Sequence, residues 1–251
     1  MELNERLKLN KEGWDTIADE WFGSTALPTY GPNMCTEDEL KLFGNIKDKK
    51  VLDIGCGSGH SLKYMGDHEA SELWGLDIST SQISTAKKFL SEHNYKASLF
   101  ESPMEINPGI HENYFDIVYS IYAFGWTVDL EKSIELVSKY LKPGGIFIMS
   151  WDHPIQSCTQ IENEKIKVNR SYHNLDIIHM SKSNESMSFT KWKMSSYINA
   201  FSKSNMHIEE LIEDVREEIL NEEHDDFTRY YSKHKAKYLP LSMIIKARKM
   251  D

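Results

Sequence analysis

Nowhere in the 251 residues does an apolar run approach the roughly 18 that a membrane-spanning helix requires, and no membrane association is expected. The charged start Met1-Glu2-Leu3-Asn4-Glu5-Arg6 does not read as a secretion signal either. Cysteine is scarce: three residues cannot all pair, and Cys56 sits inside a glycine-rich turn that a disulfide would disrupt. Reduced thiols and a cytoplasmic protein are therefore expected. Basic residues are also in deficit, with 29 Lys and Arg against 39 Asp and Glu and a formal charge of −10. That balance argues against tracking a phosphate backbone, so no nucleic-acid partner is expected. The ten histidines match no metal-ligand spacing such as His-Glu-x-x-His, and metal is excluded from the expected site. Internal repeats and low-complexity segments are lacking.

What the chain does have is Val51-Leu52-Asp53-Ile54-Gly55-Cys56-Gly57-Ser58-Gly59-His60, a short apolar run ending in three alternate glycines. The run reads as a parallel strand covered on both faces, with Asp53 as its one ionisable intrusion. Three glycines in five positions imply a backbone that takes unusual dihedrals or lets a ligand come close. A second apolar run, Glu72-Leu73-Trp74-Gly75-Leu76-Asp77-Ile78, ends in a carboxylate 22 residues beyond Gly55. That is where the hydroxyls of an adenosine ribose find an acceptor in open α/β sheets. A dinucleotide fingerprint would need a third glycine or alanine where His60 stands, so the loop is Gly-x-Gly-x-Gly and a nicotinamide-dependent dehydrogenase is the wrong reading.

With Asp53 two residues ahead of it, this loop resembles the first motif of the class I S-adenosylmethionine-dependent methyltransferases. The runs Tyr114 to Ser120 and Leu141 to Ser150 resemble that family's fourth strand and its helix end with fifth strand, and the likeness extends over about 200 residues. The resemblance implies an α/β, Rossmann-like, doubly wound and mostly parallel seven-stranded sheet. Its antiparallel C-terminal edge would come from Ile208 to Val215 and Ser242 to Lys249, the last strand inserted between its neighbours, with a small lid insertion. It further implies S-adenosyl-L-methionine as cofactor, cradled by Gly55, Cys56, Gly57 and Gly59, with Asp77 and Ile78 at the ribose. Pro103, Met104 and Glu105 would lie at the adenine, and the Ser120 and Ile121 carbonyls at the methionine amino group. Asp53 is open to two readings, direct cofactor contact or support of the loop through backbone amides.

Around this core the chain divides into an N-terminal helical cap (1–45), a cofactor-binding core (46–153), a lid and acceptor region (154–190) and a C-terminal helix with strands (191–251). The segment from Pro154 to Thr190 is polar and aperiodic, and long for a plain connection. A helix is expected from about Thr80 to Leu90, with Ser79 and Gln82 at capping-box spacing, which assigns Gln82 to structure. Trp14 and Trp21 share a helical face and read as packing. Tyr30, Tyr122, Trp126 and Trp151 are the expected walls of an acceptor pocket. His153, at the end of the fifth strand, is the candidate general base, against the alternative of a hydrogen-bonded strand-end histidine. Ten acidic residues between Glu209 and Asp226 face seven basic ones between Arg229 and Lys249, which reads as two solvated segments.

Because a sulfonium already makes its methyl electrophilic, the expected reaction is in-line methyl transfer to a small-molecule acceptor without a covalent enzyme intermediate. The alternatives are a tRNA or protein methyltransferase and a noncatalytic S-adenosylmethionine-binding module. Oligomeric state is not legible in the sequence.

Overall fold

In the computed structural model, which describes residues 2–182 and 185–251, helix and strand alternate almost from the first turn of the chain. Helices α1 (Leu3–Ile17) and α2 (Glu37–Leu40) precede β1 (Lys50–Ile54), α3 (His60–Asp67), β2 (Glu72–Asp77), α4 (Thr80–Glu92), β3 (Ala97–Glu101), β4 (Phe115–Ile121), α5 (Leu130–Tyr140) and β5 (Leu141–Asp152). Two hairpins follow, β6 (Thr159–Glu162) with β7 (Lys165–Val168) and β8 (Ile177–Lys182) with β9 (Glu185–Thr190). The chain ends with α6 (Met194–Lys203), β10 (Met206–Ile212), the short α7 (Glu217–Asn221) and α8 (Lys233–Ala236), and β11 (Ser242–Lys249).

Seven strands form one sheet in the order β10-β11-β5-β4-β1-β2-β3. All pairs from β5 to β3 are parallel, whereas β11 runs antiparallel between β5 and β10, the inserted last strand that the family resemblance implies. The strand order reverses between β1 and β4, which makes their carboxyl ends the switch point where open sheets bind ligands. Leu52 and Val118 belong to the apolar cluster on one face of the sheet, Val51 and Ile117 to that on the other. Burial on both faces is why these strands read as continuous apolar runs. Helix α5 packs Ile134 and Val137 into the first cluster, and Asp129 caps it by accepting from the Lys132 amide at 3.0 Å.

The 154–190 segment, expected to be irregular, consists mainly of the two hairpins. In the first, Asn163 and Glu164 both take positive φ (50° and 60°), the two-residue turn that suits the strand twist. In the second, Met187 is fully buried, and Ser188 and Thr190 are buried with partners on α1: Asn10 Nδ2 donates to the Ser188 carbonyl at 2.9 Å, and Arg6 to the Ser188 and Thr190 hydroxyls at 3.3 and 3.0 Å. Polar residues buried against a polar helix stripe leave no hydrophobic alternation to read, which is why the strand escapes the pattern. Gly13 permits this contact, because a Cβ there would overlap the Met187 side chain.

Candidate active site

The glycine loop turns over the end of β1 with its first two amides pinned. Gly55 and Cys56 both donate to the Leu76 carbonyl, at 2.7 and 3.0 Å, so β1 and β2 part company at a defined point. Gly55 has φ 76° and lies where a Cβ would overlap that of Ala123 beyond the tip of β4. Gly57, at φ 49°, donates its amide to Asp77 Oδ2 at 2.9 Å. Gly55, Cys56 and Gly57 line a cavity at the switch point. Gly59 does not line it: at φ 83° it caps α3, and a Cβ there would stand 3.2 Å from Ala86 on α4. Its glycine serves the turn and the approach of two helices.

Asp77 closes the other side of the loop. Its Oδ1 accepts from the Ser79 amide at 2.9 Å, which occupies the donor that a capping box would give to Gln82. Ser79 Oγ still accepts from the Gln82 amide at 3.1 Å and donates to Asp15 Oδ1 at 2.6 Å. The Gln82 side chain is therefore released from the capping role, lines the cavity, and leaves its Oε1 buried without a partner. This corrects its assignment to structure, since an orphaned buried carbonyl oxygen calls for a ligand donor. Burial pushes the Asp77 carboxyl up, and the Ser79 and Gly57 amides oppose that shift. Asp53, also in the wall, is pushed well above the usual carboxylate range by burial and then by Asp77, with the Tyr119 phenol acting in the opposite direction. No backbone amide among the described residues donates to Asp53, so its supporting role through amides is not the arrangement found.

Ile78, Pro103, Met104 and Ile121 complete the apolar wall beside Asp77. Glu105 also lines the cavity, but its Oε1 accepts from Thr127 Oγ1 and the Val128 amide, both at 2.7 Å, and so ties the loop after β3 to the loop before α5. Ser120 does not line the cavity: its hydroxyl donates to the Ile54 carbonyl at 2.6 Å and fastens β4 to β1. The cover comes from α1. Asn10 and Trp14 face the cavity, Trp14 meets Trp126 edge to face at 5.2 Å, and Trp126 meets Phe189 of β9 at 5.5 Å. Lys11 reaches the Ile78 carbonyl at 3.2 Å and Glu101 at 2.9 Å, which anchors the helix beside the ribose position.

Three expected residues stand elsewhere. Tyr30 is fully buried outside the cavity, and its hydroxyl donates to Glu37 Oε2 at 2.6 Å because that buried carboxylate needs donors. Trp151 lies behind the wall, so close to Gly125 that a Cβ there would overlap its ring. His153 faces away: the Ile155 amide donates to Nδ1 at 3.1 Å, leaving the proton on Nε2, which meets Glu213 at 2.7 Å. Its amide donates to the Leu241 carbonyl at 2.9 Å, so the chain has turned towards β11 and the imidazole with it. Burial lowers the His153 pKa and Glu213 raises it back in part. The general-base assignment is withdrawn. Tyr122 and Trp126 do line the cavity.

Sequence reasoning missed Asp152, one residue earlier. Its Oδ1 accepts from Tyr122 at 2.8 Å and Tyr231 at 2.9 Å, and its Oδ2 from Tyr230 at 3.1 Å. Only the adjacent Tyr230-Tyr231 pair could have drawn attention, and nothing in the chain announces that it folds back onto β5.

A doubly wound sheet with a glycine cradle and an acidic β2 tip defines a nucleotide-type α/β site. Residues 52–149 match the methyltransferase domain family. An S-adenosylmethionine-dependent methyltransferase of Mesorhizobium loti superposes with a TM-score of 0.67 at 18% identity, over 83% of this chain and 94% of that one. An uncharacterised Haemophilus influenzae protein is 31% identical over 122 residues, 47% of this chain and 48% of its own. A ubiquinone biosynthesis O-methyltransferase of Yersinia enterocolitica is 29% identical over 106 residues, 42% of this chain and 43% of its own. The chain spans about half the length of the curated relatives it matches. The match to the methyltransferase domain is confined to residues 52–149, and the fold of the chain is that of the S-adenosylmethionine-dependent methyltransferases it superposes with. The residues present fit that family's cofactor: Gly55 and Gly57 leave space that Cβ atoms would narrow, and the orphaned Gln82 Oε1 and the free lone pairs of Asp77 await donors.

Proposed function

We propose that the protein transfers the methyl group of S-adenosylmethionine to a small-molecule acceptor. The observation that carries this reading is the cover: α1, held from behind by the β8–β9 hairpin through Arg6 and Asn10, lays Asn10 and Trp14 over a cavity that Tyr122 and Trp126 also line. A cavity partly covered in this way supports a small acceptor over a tRNA or a protein. The region 154–190 is assigned as the lid, and the first 45 residues, α1 among them, as the cap.

When bound, S-adenosylmethionine supplies an electrophilic methyl on a sulfonium. The chain's own tasks are to bind, orient and exclude water. Asp77 offers its remaining lone pairs to ribose hydroxyls, Met104 and Ile78 offer apolar contact to the base, and the backbone of Gly55 to Gly57 permits close approach. Trp14 and Trp126 keep water from the reacting face. Calorimetry with S-adenosylmethionine, S-adenosylhomocysteine and NAD tests the first half: the first two bind and NAD does not. Incubation with tritiated methyl donor and a protein-free metabolite extract tests the second, and label appearing only in added tRNA or protein would replace the small-molecule reading.

A further inference from the structure

At the amino ends of β1, β4 and β5, the edge of the sheet opposite the cofactor cavity, a second cavity of about 370 Å³ is lined by Lys41, Lys49, Lys142, Lys246 and Arg248. Asp116 is its one lining carboxylate among the described residues. The chain as a whole has the reverse balance, 29 Lys and Arg against 39 Asp and Glu, so this gathering of positive charge is local. Leu42, Phe43, Ile117 and Ile146 give the cavity an apolar floor. A concave site lined by one sign of charge over a low-dielectric wall focuses its field on whatever enters.

A bulge in β5 shapes the cavity. Phe115 pairs with Leu141 and Ile117 with Ile146, which leaves Lys142 to Gly145 opposite Asp116 alone. Pro143 has no amide to give to a ladder, and Gly144 takes φ 75°. Gly44, in the loop before β1, takes φ 63°, and a Cβ on either glycine would meet no atom within 4 Å. Both stretches of lining backbone are therefore open to a ligand.

The neighbouring acids hold these cations without filling the cavity. Asp116 is occupied by the Lys50 amide at 2.9 Å and Lys142 Nζ at 2.8 Å. Glu209 and Glu210 of β10 stand outside the lining, where they meet Arg248 at 3.1 Å and Lys246 at 3.2 Å. Arg248 also donates to the Gly144 carbonyl at 2.7 Å, which ties β11 to the bulge. Lys41 has only Asp38 at 4.0 Å, both exposed, a pair of little strength. Lys49, partly buried, makes no ion pair among the described residues.

We propose that this cavity binds a small polyanion carrying a run of phosphate groups. The cations lie along a row from β1 to β11, three strand spacings or on the order of 14 Å. A run of two or three phosphates spans that row, where a single one meets only part of it. Phe43, the one aromatic lining residue among those described, is buried with its ring against Tyr30 and Tyr119, so no platform is offered to a nucleobase. The site thus reads the phosphates, whether free or attached to a nucleoside. S-adenosylmethionine has no phosphate, and the inference is independent of the methyltransferase reading.

Calorimetry on the full chain tests this, with inorganic triphosphate as probe in metal-free buffer of low ionic strength. One site per chain is expected, with orthophosphate at least about tenfold weaker and affinity falling as salt is added. Lys49→Ala and Lys246→Ala are each expected to weaken triphosphate about tenfold, whereas Lys167→Ala on the β6–β7 hairpin leaves it unchanged. With S-adenosylhomocysteine present to occupy the cofactor cavity, ATP is expected within about threefold of triphosphate. Amide resonances of Gly44 and Gly144 are expected to shift on binding. No binding at millimolar triphosphate overturns the proposal, as does wild-type affinity in both folded variants. Displacement of triphosphate by S-adenosylhomocysteine, with the two glycine amides unmoved, overturns it too, because the anion is then in the cofactor cavity. ATP binding more than about tenfold tighter than triphosphate overturns recognition through phosphates alone.

Discussion

On the cofactor wall, what faces the cavity is backbone or is held by neighbouring backbone: the loop of Gly55 to Gly57, and Asp77 gripped by the amides of Gly57 and Ser79. On the wall we propose for the acceptor the parts are side chains brought from far apart in sequence, Tyr122 on Asp152 with Tyr230 and Tyr231, Trp126 on Trp14 and Phe189. The first wall is a local structure that any chain with this loop rebuilds. The second exists only when β5, the loop before α8, the N-terminal helix and the β8–β9 hairpin have all docked. A family that keeps one donor while changing acceptors needs that division, since acceptor specificity then alters without disturbing the cradle.

Substitutions can break the two walls separately. The largest effect is expected for Gly55→Val, which combines a positive φ with overlap on Ala123. A loss of roughly 2–5 kcal/mol in urea denaturation is expected, with no cofactor binding by calorimetry. Wild-type affinity in that variant would remove the loop from the site. Asp77→Ala comes next: S-adenosylmethionine and S-adenosylhomocysteine should both bind roughly 30- to 1,000-fold more weakly, the equivalent of about 2–4 kcal/mol. An unchanged affinity would show that ribose recognition lies elsewhere. Gly125→Ala tests the acceptor wall, because the added Cβ displaces Trp151. About 1–3 kcal/mol of stability should be lost, with methyl transfer reduced and cofactor affinity kept; a parallel fall in affinity would mean the walls are not separable.

The smallest effects belong to the two neighbours at the tip of β5, which respond to pH with opposite sign. Asp152 has its pKa raised by burial, so the folded protein holds its proton more tightly than the unfolded chain, and the stability it contributes is lost as pH rises through about 6. His153 has its pKa lowered by burial, so its contribution is present above the ordinary histidine pKa and is lost as pH falls below it. Thermal melts across pH 4–8 should show the alkaline fall flattened in Asp152→Asn and the acid fall flattened in His153→Gln. The second variant should lose only about 1 kcal/mol at neutral pH and keep the pH–rate profile; a lost acid limb would restore His153 as a base.

The β1 run, the glycine loop and the carboxylate at position 77 were legible because each is a short-range pattern in which one or two turns of chain decide the geometry. The α4 start was half legible. Ser79 and Gln82 have the right spacing, but Asp77 takes the Ser79 amide and frees the glutamine, and no spacing rule contains that competition. At Trp151 and His153 the assignments failed because the docking of β11 against β5 fixes where the end of that strand points, and neither side chain lines the cavity.

The alternation of strands and helices, the glycine loop and the carboxylate after β2 followed from the chain alone, since glycine dihedrals and apolar runs act within a few residues. The roof of the cavity, the burial of Tyr30 and the three tyrosines on Asp152 were decided by tertiary structure. Their partners lie 7 to 184 residues away, and burying a charge or a phenol is tolerable only where such partners arrive.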